Sequence, residues 1–352
     1  GGAGRARDPA ARRAGGGAVS AARKAGGKKG GEKGAGRGGA DDGQAPNVAD
    51  APAPRRVTRG LLRRLPLPAP DPGGDKETRG RVLVVGGSTL VPGAVLLAGV
   101  AALRAGAGKL QLATVRPAAI PLGLAVPEAL VAALPATAKG EIDGAAAADV
   151  LAEYAESADA VLVGPGIADK EAAGALVEAL VPLLKADCTL VLDGAAITAL
   201  RGREGALLSL GGRAVLTPHA GEMASALGED KAALEADASG VARRAARHFG
   251  AVVALKGADT YIAEPGDGAS EAVGAVYHFG GGGAGLGTSG SGDTLSGIVV
   301  GLAARGATPA AAAVWGVWAH GTAGERLAGR MATVGYLARE LLAEVPALVG
   351  RG

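Results

Sequence analysis

The sequence predicts an α/β protein with a central, mostly parallel sheet covered by helices on both faces. Two patterns lead there. From Arg81 onward, short apolar runs alternate with stretches of helical length, the sign of strands joined by crossover helices. Each apolar run also delivers glycine or polar residues at its C-terminal end, the edge at which open α/β sheets bind ligands. Composition agrees: 62 glycines, 48% hydrophobic residues and only 2% aromatic residues indicate a close-packed core built on aliphatic contacts.

The elements follow in order. RVLVVGG, from Arg81, reads as a short buried strand stopped by paired glycines, and GAVLLAGVAALRAGAG reads as a helix ended by Gly106 and Gly108. KLQLATV, from Lys109, is the second strand. VLVGPG at 161–166, TLVLDG at 189–194 and AVLTPHAGE at 214–222 repeat the scheme, with helical stretches at 145–156, 170–184 and 231–249 between them. VVALKG and TYIAE predict a hairpin across 256–260, and 272–278 leads into a glycine-rich loop. Helices at 309–328 and 334–345 close the domain. No apolar run spans a membrane, since 295–319 is interrupted by Arg305 and Pro309. The lone Cys188 excludes an intrachain disulfide framework and fits a reducing compartment, so a soluble, cytoplasmic protein is expected.

The glycine loop, GGGGAGLGTSGSGDTLSGIVVGLAARG at 280–306, runs straight into a helix whose apolar stripe is Leu295, Ile298, Val299, Leu302 and Ala303. Its glycines let a ligand approach the backbone, and the amides of the helix's first turn suit an anion, most often a phosphate. Gly285, Gly287 and Gly290 satisfy G-x-G-x-x-G. A dinucleotide fold also needs an acidic residue about 20 positions on, and none occurs from Thr294 to Gly324. A P-loop needs a lysine that this loop does not have. What remains is a loop ending in Gly-Ser-Gly-Asp. Asp293 is its only ionisable side chain, open to two readings: a catalytic group or a helix cap.

Charge is unevenly spread. Residues 1–64 hold 15 Lys/Arg against 5 Asp/Glu, a balance of +10, which leaves −7 of the net +3 for the rest. With few large apolar residues, 1–64 reads as a disordered basic tail, and 65–352 as the folded domain. The tail has no signal-peptide core. A solvated extension is preferred over a nucleic-acid contact.

GRVLVVGGS, PGA, LRAGAG, VGPG, LTPHAGE, LKGADT and GTSGSGD, in this order and spacing, resemble the NAD(P)H-hydrate dehydratases, carbohydrate-kinase-like members of the ribokinase-like superfamily. The resemblance covers residues 75–348. It implies a ribokinase-like fold and the nucleotide-driven dehydration of (S)-NAD(P)H hydrate, with ADP (or ATP) as co-substrate, Mg²⁺ as cofactor, and AMP and phosphate as products of ADP. Carried over position by position, it assigns the hydrate to Ala94, Gly166, His219 and Asp293, with Asp293 catalytic. It assigns the adenine nucleotide to Lys256, Gly257, Ala258, Asp259, Thr260 and Gly292. No metal ligand is assigned.

The expected mechanism activates a poor leaving group. Asp293 as general base helps the hydrate's hydroxyl take the terminal phosphoryl group, and the helix dipole is expected to keep Asp293 ionised. His219 is open to a second reading, a hydrogen bond to the next helix. Glu222 is left between metal binding through water and capping, and His320, Trp315 and Trp318 are read as packing residues. The family's second strand-end carboxylate is missing, since Asp193 is followed by Gly194, Ala195, Ala196 and Ile197. The resemblance also implies a homo-oligomer, tetrameric in the family, and an NAD(P)H-hydrate epimerase acting from elsewhere, since the tail offers no such domain. The competing functions are a vitamin-precursor kinase of the same superfamily and a non-enzymatic adenine nucleotide sensor.

Overall fold

A computed structural model describes residues 52–69, 73–266 and 274–350. Ten strands form one sheet: β1 (Arg55–Arg56), β2 (Arg81–Val85), β3 (Lys109–Val115), β4 (Ala129–Leu134), β5 (Ala160–Val163), β6 (Thr189–Leu192), β7 (Ala214–Leu216), β8 (Val252–Leu255), β9 (Thr260–Ala263) and β10 (Val276–Phe279). Their order across the sheet is β1-β10-β9-β8-β7-β6-β5-β2-β3-β4. Only the pairs β8/β9 and β9/β10 are antiparallel. The hairpin sits where expected, with Leu255 opposite Tyr261.

Successive strand side chains point to opposite faces. Every residue of β5, β6, β7 and β8 is nevertheless buried, so both faces are covered. The covering helices are α1 (Arg59–Leu62), α2 (Gly93–Arg104), α3 (Arg116–Ala125), α4 (Gly144–Ala155), α5 (Lys170–Leu180), α6 (Ala195–Thr198), α7 (Ala220–Leu227), α8 (Lys231–Ala236), α9 (Ala238–Phe249), α10 (Ser291–Ala304), α11 (Pro309–Arg330), α12 (Ala338–Leu341) and α13 (Val345–Val349).

Several expectations are corrected. The helix expected over 231–249 breaks at Asp237, whose carboxylate accepts the Gly240 amide at 2.9 Å and starts α9 afresh. The chain is extended at Leu337, so 334–345 holds only α12, and α13 opens around Pro346. α3 and β4 had no reading in the sequence, because Pro117 and Pro121 mask the helix. Helix α10 is buried almost all round, not along one stripe. It lies against α2 so closely that a Cβ on Gly297 would come within 2.2 Å of Ala98 O, and one on Gly301 within 2.5 Å of Ala102 O.

The domain also starts earlier than residue 65. β1 pairs in parallel with β10, Val57, Leu61 and Leu62 are buried, and Trp315 Nε1 donates to Leu65 O at 2.6 Å. Three large apolar side chains in a short stretch were enough to dock it, although the average composition of 1–64 hid them. The rest of the expected tail, 1–51, lies outside the described residues. A chain starting at residue 70 is therefore expected to melt roughly 5 °C lower than one starting at residue 52, from about 3 kcal/mol net, the lost apolar burial being partly offset by the entropy of the freed segment. Thermal melts of the two truncations check this.

Candidate active site

The C-terminal ends of β8, β7, β6, β5 and β2, neighbours in the sheet, carry the residues singled out from the sequence. At the β2/β5 end, Ala94 at the start of α2 and Gly166 after β5 come together. A Cβ on Gly166 (φ +72°) would lie 2.4 Å from Val91 O and 3.0 Å from Ala94 Cβ. Gly164, also at positive φ, presses against the backbone of Asp193 beyond β6. Backbone thus approaches backbone here without intervening side chains.

In the middle stands the start of α10. Its N-cap is Gly290 in the left-handed region (φ 84°), with no side-chain cap. Asp293, in the first turn, is therefore not the helix cap. Among the described residues, the Gly292 and Asp293 amides meet no protein acceptor, which leaves them open to an anion. Lys256 Nζ reaches over this turn: a Cβ on Gly292 would lie 3.3 Å from it and 3.7 Å from Asp193 Oδ2.

Asp193, noted in the sequence only as the start of a strand-end segment, is brought into this cluster by the fold. It is buried, with Oδ1 accepting from Thr217 Oγ1 at 2.9 Å and from Lys256 Nζ at 3.3 Å. Its position at the end of a buried strand was the available signal.

These neighbours decide the charge on Asp293. Burial, then Asp193, and to a smaller degree Glu222 push its carboxyl up to about 6, against the pull of Lys256. The helix dipole was expected to act the other way; desolvation and like charge outweigh it. The group is still ionised above neutral pH, and a base tuned close to working pH takes protons more effectively. Burial also works against the charged form of Lys256. Asp193, Glu222 and Asp293 nevertheless raise it on balance, so it stays an ammonium.

At the β7/β8 end, Lys256 N donates to Pro218 O at 2.8 Å, joining the two strand ends. His219, Lys256, Gly257, Ala258, Asp259 and Tyr261 line a cleft of about 570 Å³, walled on the far side by Lys231, Leu234 and Glu235. His219 is placed with the nucleotide segment here, not beside Ala94 and Gly166. It caps α7: Nδ1 accepts the Gly221 and Glu222 amides at 3.0 and 3.2 Å, while the Glu222 carboxylate accepts the His219 amide at 2.9 Å. Both residues thus show the capping contacts weighed for them. Thr260 pairs across to Phe279 in the sheet and does not line the cleft. Tyr261, unnoticed in the sequence, does, with its ring stacked on His278 at 5.0 Å.

Residues 82–347 match the family model described as NAD(P)H-hydrate dehydratase. The chain is 51% identical over 302 residues to the ADP-dependent (S)-NAD(P)H-hydrate dehydratase of Xanthomonas campestris pv. campestris, covering 85% of this chain and 98% of that one. Among solved structures, the ADP/ATP-dependent NAD(P)H-hydrate dehydratase of Bacillus subtilis, co-crystallized with ATP/Mg²⁺, is similar at TM-score 0.68 and 26% identity, covering 86% of this chain and 99% of that one. A ribokinase-like superfamily protein of Enterococcus faecalis V583 matches at TM-score 0.70, covering 84% of this chain and 95% of that one; at 24% identity it speaks for the fold alone.

Proposed function

The chain belongs to the NAD(P)H-hydrate dehydratase family, and from that premise we propose that it dehydrates (S)-NAD(P)H hydrate to NAD(P)H, with ADP as phosphoryl donor. The observation that carries the reading is the meeting of Asp293, Lys256 and two open α10 amides at one sheet edge. A base, a cation and a phosphate cradle are what the activation of a hydroxyl by phosphorylation requires.

Asp293 takes the proton of the hydrate's hydroxyl as its oxygen bonds to the terminal phosphorus and the bond to AMP breaks. Lys256 and the Gly292 and Asp293 amides face the charge that develops on the phosphoryl oxygens. The carbon–oxygen bond then breaks, phosphate departs with the bonding pair, and the ring nitrogen's lone pair moves in. Loss of a proton from the adjacent ring carbon restores the dihydronicotinamide. The hydrate is assigned to the edge at Ala94 and Gly166, where the chain packs backbone against backbone and a flat ring could lie over it. The cleft along 256–259 suits the nucleotide, with Tyr261 as an apolar wall.

Among the described residues, no three His, Cys, Asp or Glu side chains converge to hold a metal. Mg²⁺ entering on nucleotide phosphates needs only one or two carboxylates. Asp193 fits that role: Oδ2 accepts no hydrogen bond from a described residue and faces Gly292. Bound there, Mg²⁺ would neutralise charge on the phosphoryl oxygens. With the family come a cytoplasmic setting and an epimerase that supplies the S form; no helix among the described residues is long and apolar enough to cross a membrane.

The direct test combines purified protein, Mg²⁺, ADP and hydrated NADH, with ATP in parallel. Dihydronicotinamide absorbance is expected to return, with one AMP and one phosphate released per NADH formed. A kinase would accumulate a phosphoester, and a nucleotide sensor would consume nothing. No recovery with either donor, from folded protein that binds ADP, sinks the reading.

The rate should follow the ionisation of Asp293, with kcat/KM falling below about pH 6 as the base becomes protonated. Asp193→Asn removes a negative neighbour, so the Asp293 carboxyl should drop and the acid limb move to lower pH. A pH–rate profile that stays in place would detach Asp193 from Asp293.

A further inference from the structure

We infer that His320 is a positioning residue of this site: its Nε2, 2.9 Å from Ser291 Oγ, holds that hydroxyl in the core and keeps the first-turn amides of α10 open for the phosphoryl group. The inference rests on the reading above and names a residue to which that reading gives no part. Ser291 is the first residue of α10 and is 5% exposed; His320, in α11, is 8% exposed.

The argument starts from what a hydroxyl near a helix start ordinarily does, which is to bond to nearby backbone. The other two hydroxyls of α10 behave that way: Thr294 Oγ1 donates to Gly290 O at 3.1 Å, and Ser296 Oγ to Asp293 O at 3.2 Å. Ser291 alone turns to another helix. The consequence lies beside it, where no side chain caps the helix and the Gly292 and Asp293 amides keep their bonding capacity.

The partner is rigidly seated. On either side of His320, a Cβ on Gly316 would come within 2.6 Å of Val299 Cγ2, and one on Gly321 within 2.2 Å of Phe279 Cε1. α11 therefore lies too close to its neighbours for the imidazole to follow a wandering serine. Burial, with Lys256 adding to it, lowers the imidazole to about 4, so it adds no second positive charge beside that ammonium.

The test uses the full chain with Ser291→Ala, His320→Ala, His320→Gln and the double variant Ser291→Ala/His320→Ala. ADP binding is read by calorimetry, turnover by recovered absorbance, and folding by thermal melt. His320→Ala, which releases the Ser291 hydroxyl, is expected to weaken ADP binding roughly tenfold, whereas Ser291→Ala, which removes that hydroxyl, should bind ADP as the wild type does, and the double variant should recover the affinity lost in His320→Ala. His320→Gln places an amide close to the Nε2 position and should regain most of the affinity.

ADP affinity unchanged in folded His320→Ala overturns the inference, as does a double variant that stays as weak as His320→Ala. If His320→Ala does not fold, His320→Leu, which fills the volume without a hydrogen-bonding nitrogen, takes its place in the comparison. Wild-type protein that binds ADP without turnover defeats the dehydratase reading, while the affinity ratios still judge His320; wild-type protein that binds no ADP defeats both.

Discussion

Asp293→Asn is expected to lower turnover by roughly 10² to 10⁴, while the protein stays folded and still binds ADP. The helix start does not depend on the carboxylate, because Gly290 occupies the N-cap position and the Asp293 side chain caps nothing. Asparagine keeps the volume and loses only the base. ADP affinity should hold or rise, since Asp193 and Glu222 already put negative charge beside the phosphates and the change removes a third carboxylate. Stability should rise as well. A carboxyl that titrates near 6 in the fold and near 3.8 when unfolded is ionised against the fold's preference at pH 8, so removing the charge removes that penalty. Turnover, ADP binding and Tm at pH 8 together check the claim. A wild-type rate in the variant would leave Asp293 outside the chemistry.

Gly297→Ala is expected to cost about 3 kcal/mol or more. Overpacking of this kind typically costs 1–3 kcal/mol where neighbours can yield. Here the neighbour is a backbone oxygen, Ala98 O, which a Cβ would meet at 2.2 Å. Helix propensity favours alanine by about 1 kcal/mol and is outweighed. Gly329→Ala, in α11, supplies the control: it is exposed, no atom lies within 4 Å of its would-be Cβ, and the change should be neutral or slightly stabilising. Chemical denaturation of both variants gives the comparison. Equal costs would mean that α2 and α10 separate easily, and the position of Asp293 would then need another support.

Much of the fold was legible because its strands are short, contiguous and apolar, each marked at its end by glycine or a polar residue. β3 and the β8/β9 hairpin lie where the residues alone put them. α3 was hidden by Pro117 and Pro121, since a helix with proline inside it exists only by virtue of what it packs on. Within the site, local chemistry was readable and convergence was not. The glycine loop announced a phosphate cradle, yet the bond between Asp193 and Lys256 joins positions 63 residues apart. Likewise, Ser291 and His320 each look ordinary until the fold sets them 2.9 Å apart. The upward shift of Asp293 was hidden for the same reason: a helix dipole can be inferred from neighbours in sequence, whereas desolvation depends on the whole fold.

The pairing of β1 with β10 bears on how the protein is made. Trp315 reaches Leu65 across 250 residues of chain, and Arg305 reaches Pro68 across 237. On a ribosome extending the chain by about 5–20 residues per second, the segment around β1 waits on the order of tens of seconds for these partners. Its apolar side chains, Leu61 and Leu62 among them, stay uncovered for that interval. The sheet can be completed at that margin only once β10 has emerged, which makes the growing chain, more than the folded enzyme, the form whose apolar segment is open to aggregation.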